Sequence, residues 1–408
     1  FRFLCWNIGI LNQNTSKILC IAATDSFKLL IRGLRMAQQK KWHETLYTYV
    51  WVFKVGRGFA ACIRLPQNIG FLYDMGASDD FSPRKFVEDN IFPKLTKFKD
   101  ANQVKRQVAQ LIFSHPHGDH ITEIAGSNKS TSDQDSFIDA ALVTCPHDKE
   151  YSEELTGKYK DEKTDFSRIN NPDSQADLIK KYKAMIKGRC LPLQTISSKD
   201  ASIPNVEYGI FYVRPPVCDD FYQKDDQKYS NSISLVFYYR HGNQNILIPG
   251  DITPDIFEKV LDCDGDVERR YTNFNSSEES EDSKKNTGTQ SKLGNLLNKH
   301  GLSILIPSHH GLESGHCKKL YDYIAGGKPD LNVISEKRHT GKNDGSIHPD
   351  YQSQNGAKGL EVDIKGKKEK RYSVTTREGH MLIVSKGTDM KPHVYLRDDP
   401  NDLLNIVP

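Results

Sequence analysis

Apolar residues gather in this chain in short bursts separated by polar loops, and most bursts have the composition of β-strands. Tyr47-Thr48-Tyr49-Val50-Trp51-Val52-Phe53-Lys54-Val55 is rich in β-branched and aromatic residues, which pack well on a pleated surface. Gly56-Arg57-Gly58 makes a turn. Phe59 to Leu65 and Gly70 to Tyr73 read as the next two strands, the second closed by Asp74-Met75-Gly76. From Arg84 to Ala109 charged residues mix with apolar ones at helical spacing (Phe86, Val87, Ile91, Phe92, Leu95), which predicts a helix. Leu111-Ile112-Phe113 is a buried strand. Ser232 to Tyr239 and Asn245 to Pro249 read as a hairpin around His241-Gly242-Asn243. Thr253-Pro254-Asp255 opens a helix, since Thr can cap and Pro fits the first turn. Leu302-Ser303-Ile304-Leu305-Ile306-Pro307 is a further buried strand. Strands and helices mixed in this way predict the α/β class.

Three stretches break the pattern. Asp148 to Cys190 is highly charged and predicts a helical insertion over 148–200, basic at Lys180, Lys181 and Lys183. A solvated helix face explains that basic run more simply than a nucleic-acid contact does. Residues 264–292 are Ser, Asn, Glu, Asp and Lys with almost nothing to bury, which predicts a disordered polar insertion. Residues 1–46 are expected to be an N-terminal extension packing poorly on the rest. They lie either partly upstream of a start at Met36 or at the end of a clipped preceding region, and they show no secretory signal pattern. The folded domain is thus expected over 47–390, with 391–408 as a C-terminal tail.

A length of 408 residues with 37% hydrophobic and 27% charged residues allows one large domain with a sizeable core. The net charge of +3 neither demands nor excludes a nucleic-acid partner. The eight cysteines are scattered without a Cys-x-x-Cys pair, which favours free thiols in a reducing, cytoplasmic compartment. No apolar run approaches the ~20 residues needed to cross a bilayer, so no membrane partner is expected.

The densest chemistry is Ser114-His115-Pro116-His117-Gly118-Asp119-His120, directly after the Leu111-Ile112-Phe113 strand. In a short extended or turning segment His115 and His117 can converge on one ion, while Asp119 and His120 face a second. Imidazole and carboxylate suit zinc, manganese or iron. Asp74, Asp251 and His309-His310 also follow apolar β-like runs, completing the inventory that a dinuclear site needs.

The His-x-His-x-Asp-His run, Asp74-Met75-Gly76 and Gly250-Asp251 resemble the metallo-β-lactamase superfamily. Val55-Gly56-Arg57-Gly58, Asn231-Ser232-Ile233-Ser234-Leu235-Val236, His309-His310-Gly311, His348-Pro349 and Thr376-Arg377-Glu378-Gly379 are similar to the hydrolase domain of the bacterial ComEC-type competence (DNA-uptake) proteins. The resemblance covers roughly residues 47–385 and includes no membrane channel. It implies a metallo-β-lactamase fold, a four-layered αβ/βα sandwich of two mixed sheets with metals at one rim. It further implies that His115 and His117 bind the first metal, that Asp119, His120 and His309 bind the second, and that Asp251 bridges them. Asp74 would orient a ligand His from behind.

One departure stands out. Many relatives use a further His on a later strand as third ligand of the first metal. Here His147 is the candidate, although it comes early, and the expected place holds Arg214-Pro215-Pro216 and Asp219-Asp220. His309 and His310 cannot both point the same way if they extend a strand. The favoured assignment makes His309 the ligand and His310 a substrate contact or proton donor, with the reverse left open. His348, in a polar loop, is expected to touch substrate at the rim and is the other candidate general acid.

The function implied is a metal-dependent phosphodiesterase or nuclease acting on DNA, single-stranded DNA included. It would use two divalent ions, Zn or Mn, to activate a hydroxide held by Asp119. Arg57, Lys180, Lys181, Lys183, Arg214, Lys337, Arg338 and Lys342 are the basic residues available to guide a backbone. Two alternatives stay open: a metal-dependent hydrolase of lactones, thioesters or β-lactams, and a non-catalytic DNA-binding or interaction module.

Overall fold

The computed structural model describes residues 47–125 except 57, 96–97, 100–104 and 107. It further describes 141–146, 178–182, 206–262 except 214 and 224, 267–271, 292–336 and 346–406. In chain order the strands are β1 Thr48–Val52, β2 Ala60–Arg64, β3 Gly70–Met75, β4 Phe98–Lys99, β5 Lys105–Arg106, β6 Val108–Ile112, β7 Ala141–Thr144, β8 Val206–Val213 and β9 Val236–His241. They continue with β10 Gln244–Ile248, β11 Val267–Tyr271, β12 Ile304–Leu305, β13 Leu331–Ile334, β14 Leu360–Ile364, β15 Lys367–Arg371, β16 Ser373–Thr375, β17 His380–Ser385 and β18 His393–Arg397.

Two mixed sheets organise the fold. One has nine strands in the order β15-β14-β18-β17-β1-β2-β3-β6-β7, the other seven in the order β11-β8-β9-β10-β12-β13-β16. They share one apolar core, in which Val50, Val52, Ile63, Phe71 and Ile383 of the larger sheet meet Tyr208, Ile210, Phe237, Ile246 and Val333 of the smaller. Period-two alternation sends the neighbours of these residues to the opposite faces. Trp51, Cys62 and Leu72 pack against Phe86 and Val87 of the helix Pro83–Asn90. Phe211, Tyr238 and Leu247 pack against the helices Pro254–Asp262 and Lys292–His300. Helices therefore cover the outer face of each sheet.

Parallel pairing aims several strand ends the same way. β3 runs parallel to β6, and β10, β12 and β13 run parallel to one another. Their carboxyl ends carry Asp74, the His115–His120 segment, Asp251 and His309-His310. At this rim the Leu235 N–H donates across the two sheets to Ser114 O at 3.0 Å, and within the smaller sheet the His309 N–H donates to Gly250 O at 3.1 Å.

Several expectations are corrected. The helix begun by the Ser82 cap, which accepts the Lys85 N–H, ends at Asn90 rather than reaching Ala109. Pro93 starts a separate 3-10 turn, Phe92–Lys94, because its ring and missing N–H cannot continue an α-helix. The hairpin turn at Gly242-Asn243 is as expected, but β9 begins at Val236, and Ser232 closes the helix Asp226–Ser232. Residues 267–271, placed in the polar insertion, form β11 antiparallel to β8. The expected tail at 391–408 is integral: β18 lies between β14 and β17 with Val394 and Leu396 buried, so the compact unit is Tyr47–Pro408. Residues 1–46, most of 148–200 and the remainder of 264–291 lie outside the described residues. No helix among the described residues is long and apolar enough to cross a membrane.

Candidate metal centre

Asp74, the fifth residue of β3, turns out of extended geometry at φ +52°. Its carboxylate reaches the start of the next loop. The Ser114 N–H donates to Asp74 Oδ1 at 2.7 Å, and the Ser114 hydroxyl donates to Oδ2 at 2.7 Å. His120 Nδ1–H donates to the same Oδ2 at 2.7 Å. With the serine proton committed to Asp74, His115 Nδ1–H donates to Ser114 Oγ at 2.9 Å. These bonds fix both ring tautomers and turn each Nε2 inward.

His115, His117 and His120 crowd together, with ring centroids 4.6 Å apart for His115–His117 and 4.2 Å for His115–His120. Their three Nε2 atoms are buried and make no hydrogen bond. Buried ring nitrogens without partners are costly, and three converging ones fit a cation. The loop reaches this position because two glycines make way for it. A Cβ on Gly58 or Gly76 would lie 2.1 or 2.0 Å from the Asp119 carbonyl oxygen, which accepts the Phe59 N–H at 3.3 Å.

Asp251, anchored by its N–H to Ser234 Oγ at 3.1 Å, faces the same pocket from the other sheet. Its carboxylate oxygens lie 3.8 Å from His115 Nε2, 3.5 Å from His120 Nε2, 4.0 Å from His309 Nε2 and 3.6 Å from His310 Nε2. Such spacings are long for hydrogen bonds. The structure thus brings His115, His117, Asp119, His120, Asp251, His309 and His310 together, with Asp74 behind them.

His309 and His310 do not extend a strand. They sit in the tight turn Ser308–Gly311 at φ +49° and +58°, so both rings reach the pocket and the premise that they must diverge fails. Of the two, His310 has the more ligand-like setting. Its Nδ1–H donates to Ser335 O at 3.0 Å, leaving the Nε2 lone pair 3.7 Å from Asp119 and 3.6 Å from Asp251. His309 is more open and contacts Ser314 Oγ through Nδ1 at 2.8 Å. The geometry therefore favours the reverse of the preferred assignment.

Burial, followed by the neighbouring His120 and His117, holds His115 well below the usual imidazole range, so it is neutral. Burial also pushes against charge on His120, but Asp251 and Asp74 win and hold it well above that range. Asp251 is held well below the carboxylate range: burial opposes ionisation, and His120 and His310 overcome it. A cation competing for His120 Nε2 must displace a proton.

His348 is not part of this group. It stacks on His316, which the sequence reading missed, and the two sit beside Asp350. His147, Arg57, Lys183, Arg214, Lys337, Arg338 and Lys342 lie outside the described residues, while Lys180 and Lys181 fall in the helical segment 178–182. No protein-family model matches the chain, and no curated protein matches it.

Proposed function

We propose that the chain is a metal-dependent phosphodiesterase or nuclease on a metallo-β-lactamase-type scaffold, with DNA as the polymer substrate. The observation that carries the reading is the Asp251 carboxylate facing four imidazole nitrogens at 3.5–4.0 Å. Three buried Nε2 atoms without partners reinforce it. His115, His117 and Asp251 would hold one divalent ion, and Asp119, His120 and His310 a second, with Asp251 shared. Divalent ions in such a pocket supply Lewis acidity for phosphoryl oxygens and make hydroxide available at neutral pH.

The chain's own residues do the rest. Asp119, the more open of the two pocket carboxylates, accepts a hydrogen bond from the attacking water and aims it at phosphorus. Asp74 and Ser114 keep the His120 and His115 rings from rotating away. His309, at the open side of the pocket, is placed to give a proton to the leaving alkoxide, a role that needs reach more than burial. The sequence resemblance supplies the nucleic-acid substrate, and the pocket chemistry supplies hydrolysis.

The test is cleavage of bis-p-nitrophenyl phosphate and of single- and double-stranded DNA, with Mn²⁺ or Zn²⁺ added, by wild type and Asp119→Ala. Wild-type cleavage that falls at least about 100-fold in a folded variant is the expected result. Equal cleavage by both proteins overturns the reading. Turnover of a chromogenic β-lactam or thiolactone without phosphodiester cleavage reassigns the pocket to acyl transfer.

A further inference from the structure

Beyond that pocket, His316, His348 and Asp350 form a second convergent group that shares no residue with it. Their donor atoms all lie within 4.8 Å of one another. His316 follows the 3-10 turn Glu313–Gly315, and His348 and Asp350 start another turn, Pro349–Gln352, 32 residues on. The two segments are joined by the His348 N–H, which donates to Gly311 O at 2.9 Å, and by the Leu312–Ile347 bridge. The imidazoles lie face to face, centroids 3.6 Å apart and planes 5° apart. Tyr351 closes one flank, its ring edge-on to His316 at 5.2 Å.

The three donor atoms gather without bonding to one another. His316 Nε2 and His348 Nδ1 each lie 3.8 Å from the same oxygen, Asp350 Oδ2. His316 Nε2 is buried and makes no hydrogen bond, in a side chain only 11% exposed. His348 Nδ1 takes the Asp350 N–H in a long 3.3 Å bond, so that nitrogen carries no proton. For both nitrogens to reach one ion the rings must tilt out of their 5° stack and His348 Nδ1 must give up the Asp350 N–H, so binding reshapes this corner. Spacings of this size are close to those of ligands sharing an ion about 2.1 Å from each.

We propose that His316, His348 and Asp350 bind a single divalent cation of the zinc class, separately from the Asp251 pocket. Two imidazoles and one carboxylate are a borderline-soft ligand set that selects zinc over calcium or magnesium. The site ties the segment after His309-His310 to the loop before β14, so the ion acts as a clip on the turn that carries those two histidines. Burial and the neighbouring His348 also lower the His316 pKa, which keeps its ring neutral and ready to ligate.

The experiment counts zinc. The full chain is stripped with a chelator, reloaded with limiting Zn²⁺ against a chromophoric competitor, and assayed by metal mass spectrometry. The His316→Gln/His348→Gln double variant is expected to bind one equivalent fewer than wild type. Asp350→Asn should weaken that equivalent at least tenfold. A His115→Ala/Asp251→Ala variant, disabled in the other pocket, should retain it, and Co²⁺ loaded there should give the visible bands of a low-coordinate nitrogen–oxygen site. Equal zinc stoichiometry and affinity in wild type and the double variant overturn the proposal. If the double variant fails to fold, unchanged zinc affinity in Asp350→Asn, whose side chain is half exposed, overturns it equally. Loss of phosphodiesterase activity has no bearing on this count, so the two proposals fail separately.

Discussion

Asp74 Oδ2 accepts the His120 Nδ1–H at 2.7 Å while its own backbone is held in the left-handed region. A non-glycine residue pays on the order of 1–2 kcal/mol to sit there. The same oxygen also takes the Ser114 hydroxyl, so one strained residue sets the orientation of two rings. Asp74→Asn keeps the shape but removes the charge that turns His120 inward. It should weaken zinc or manganese binding by about 10–100-fold with little change in melting temperature. Metal titration followed by calorimetry reads both quantities, and unchanged affinity would show that Asp74 is only a strand terminator.

His310 and His309 should respond differently to substitution. His310→Gln removes the nitrogen that faces both Asp119 and Asp251, so it should lose bound metal and about 100-fold or more in kcat. His309→Gln should keep the metal and lose about tenfold, with the deficit growing as leaving-group pKa rises. Steady-state rates on aryl and alkyl phosphodiesters, alongside metal content, separate the cases. The opposite ranking would restore His309 as the ligand.

Gly76→Ala tests how tightly the loop that carries His115 to His120 is seated. The added carbon would meet the Asp119 carbonyl at 2.0 Å and the Phe59 carbonyl at 2.9 Å, both backbone atoms that cannot swing aside. Overpacking of this kind costs about 1–3 kcal/mol or more, so the melting temperature should fall by several degrees. Metal affinity should fall with it, because the strain is relieved by moving Asp119. A stable variant with intact metal binding would mean the loop has slack.

Stability should decline on mild acidification for a reason outside the pocket. Burial holds His241 and His380 down at about 4, with Lys54 adding to the effect at His380. His380 Nδ1 accepts the Lys54 N–H at 3.2 Å, which requires the neutral ring. In the unfolded chain a histidine titrates near 6.5. Between those values the unfolded chain binds more protons than the folded one. Stability is therefore full above about pH 6.5 and drains away toward pH 4, by up to about 3 kcal/mol per ring. Urea midpoints at pH 7 and pH 5, for wild type and His380→Gln, measure this. The variant should be less stable at pH 7 and lose less between the two.

Much of the scaffold was legible because its strands are dense in apolar residues. β1, β2, β3, β6, β10 and β12 all fall on such runs, and the acidic or imidazole residue just past a run marked where the pocket gathers. The His115–His120 segment stood out because its donors are contiguous. What escaped has a physical explanation. In β18 only Val394 and Leu396 of five residues are buried, too sparse a signal to tell from a polar tail. β11 is Val-Glu-Arg-Arg-Tyr and is placed by pairing with β8 rather than by its own composition. The turn at His309-His310 depends on left-handed backbone at residues that seldom adopt it, which no local pattern announces. His316 is a lone imidazole whose partners lie more than 30 residues away, so only the folded chain brings it to His348.

In the middle of the nine-stranded sheet Thr48 pairs with Ser385 and Val52 with Met381. On the ribosome, β1 emerges long before its neighbour exists, and the seam cannot close until residue 385 has left the exit tunnel. For all that time one backbone edge of β1 awaits its partner, open to pairing with other chains. A chain stopped anywhere before β17 therefore keeps that strand edge unpaired, the kind of exposed template that favours association with other chains.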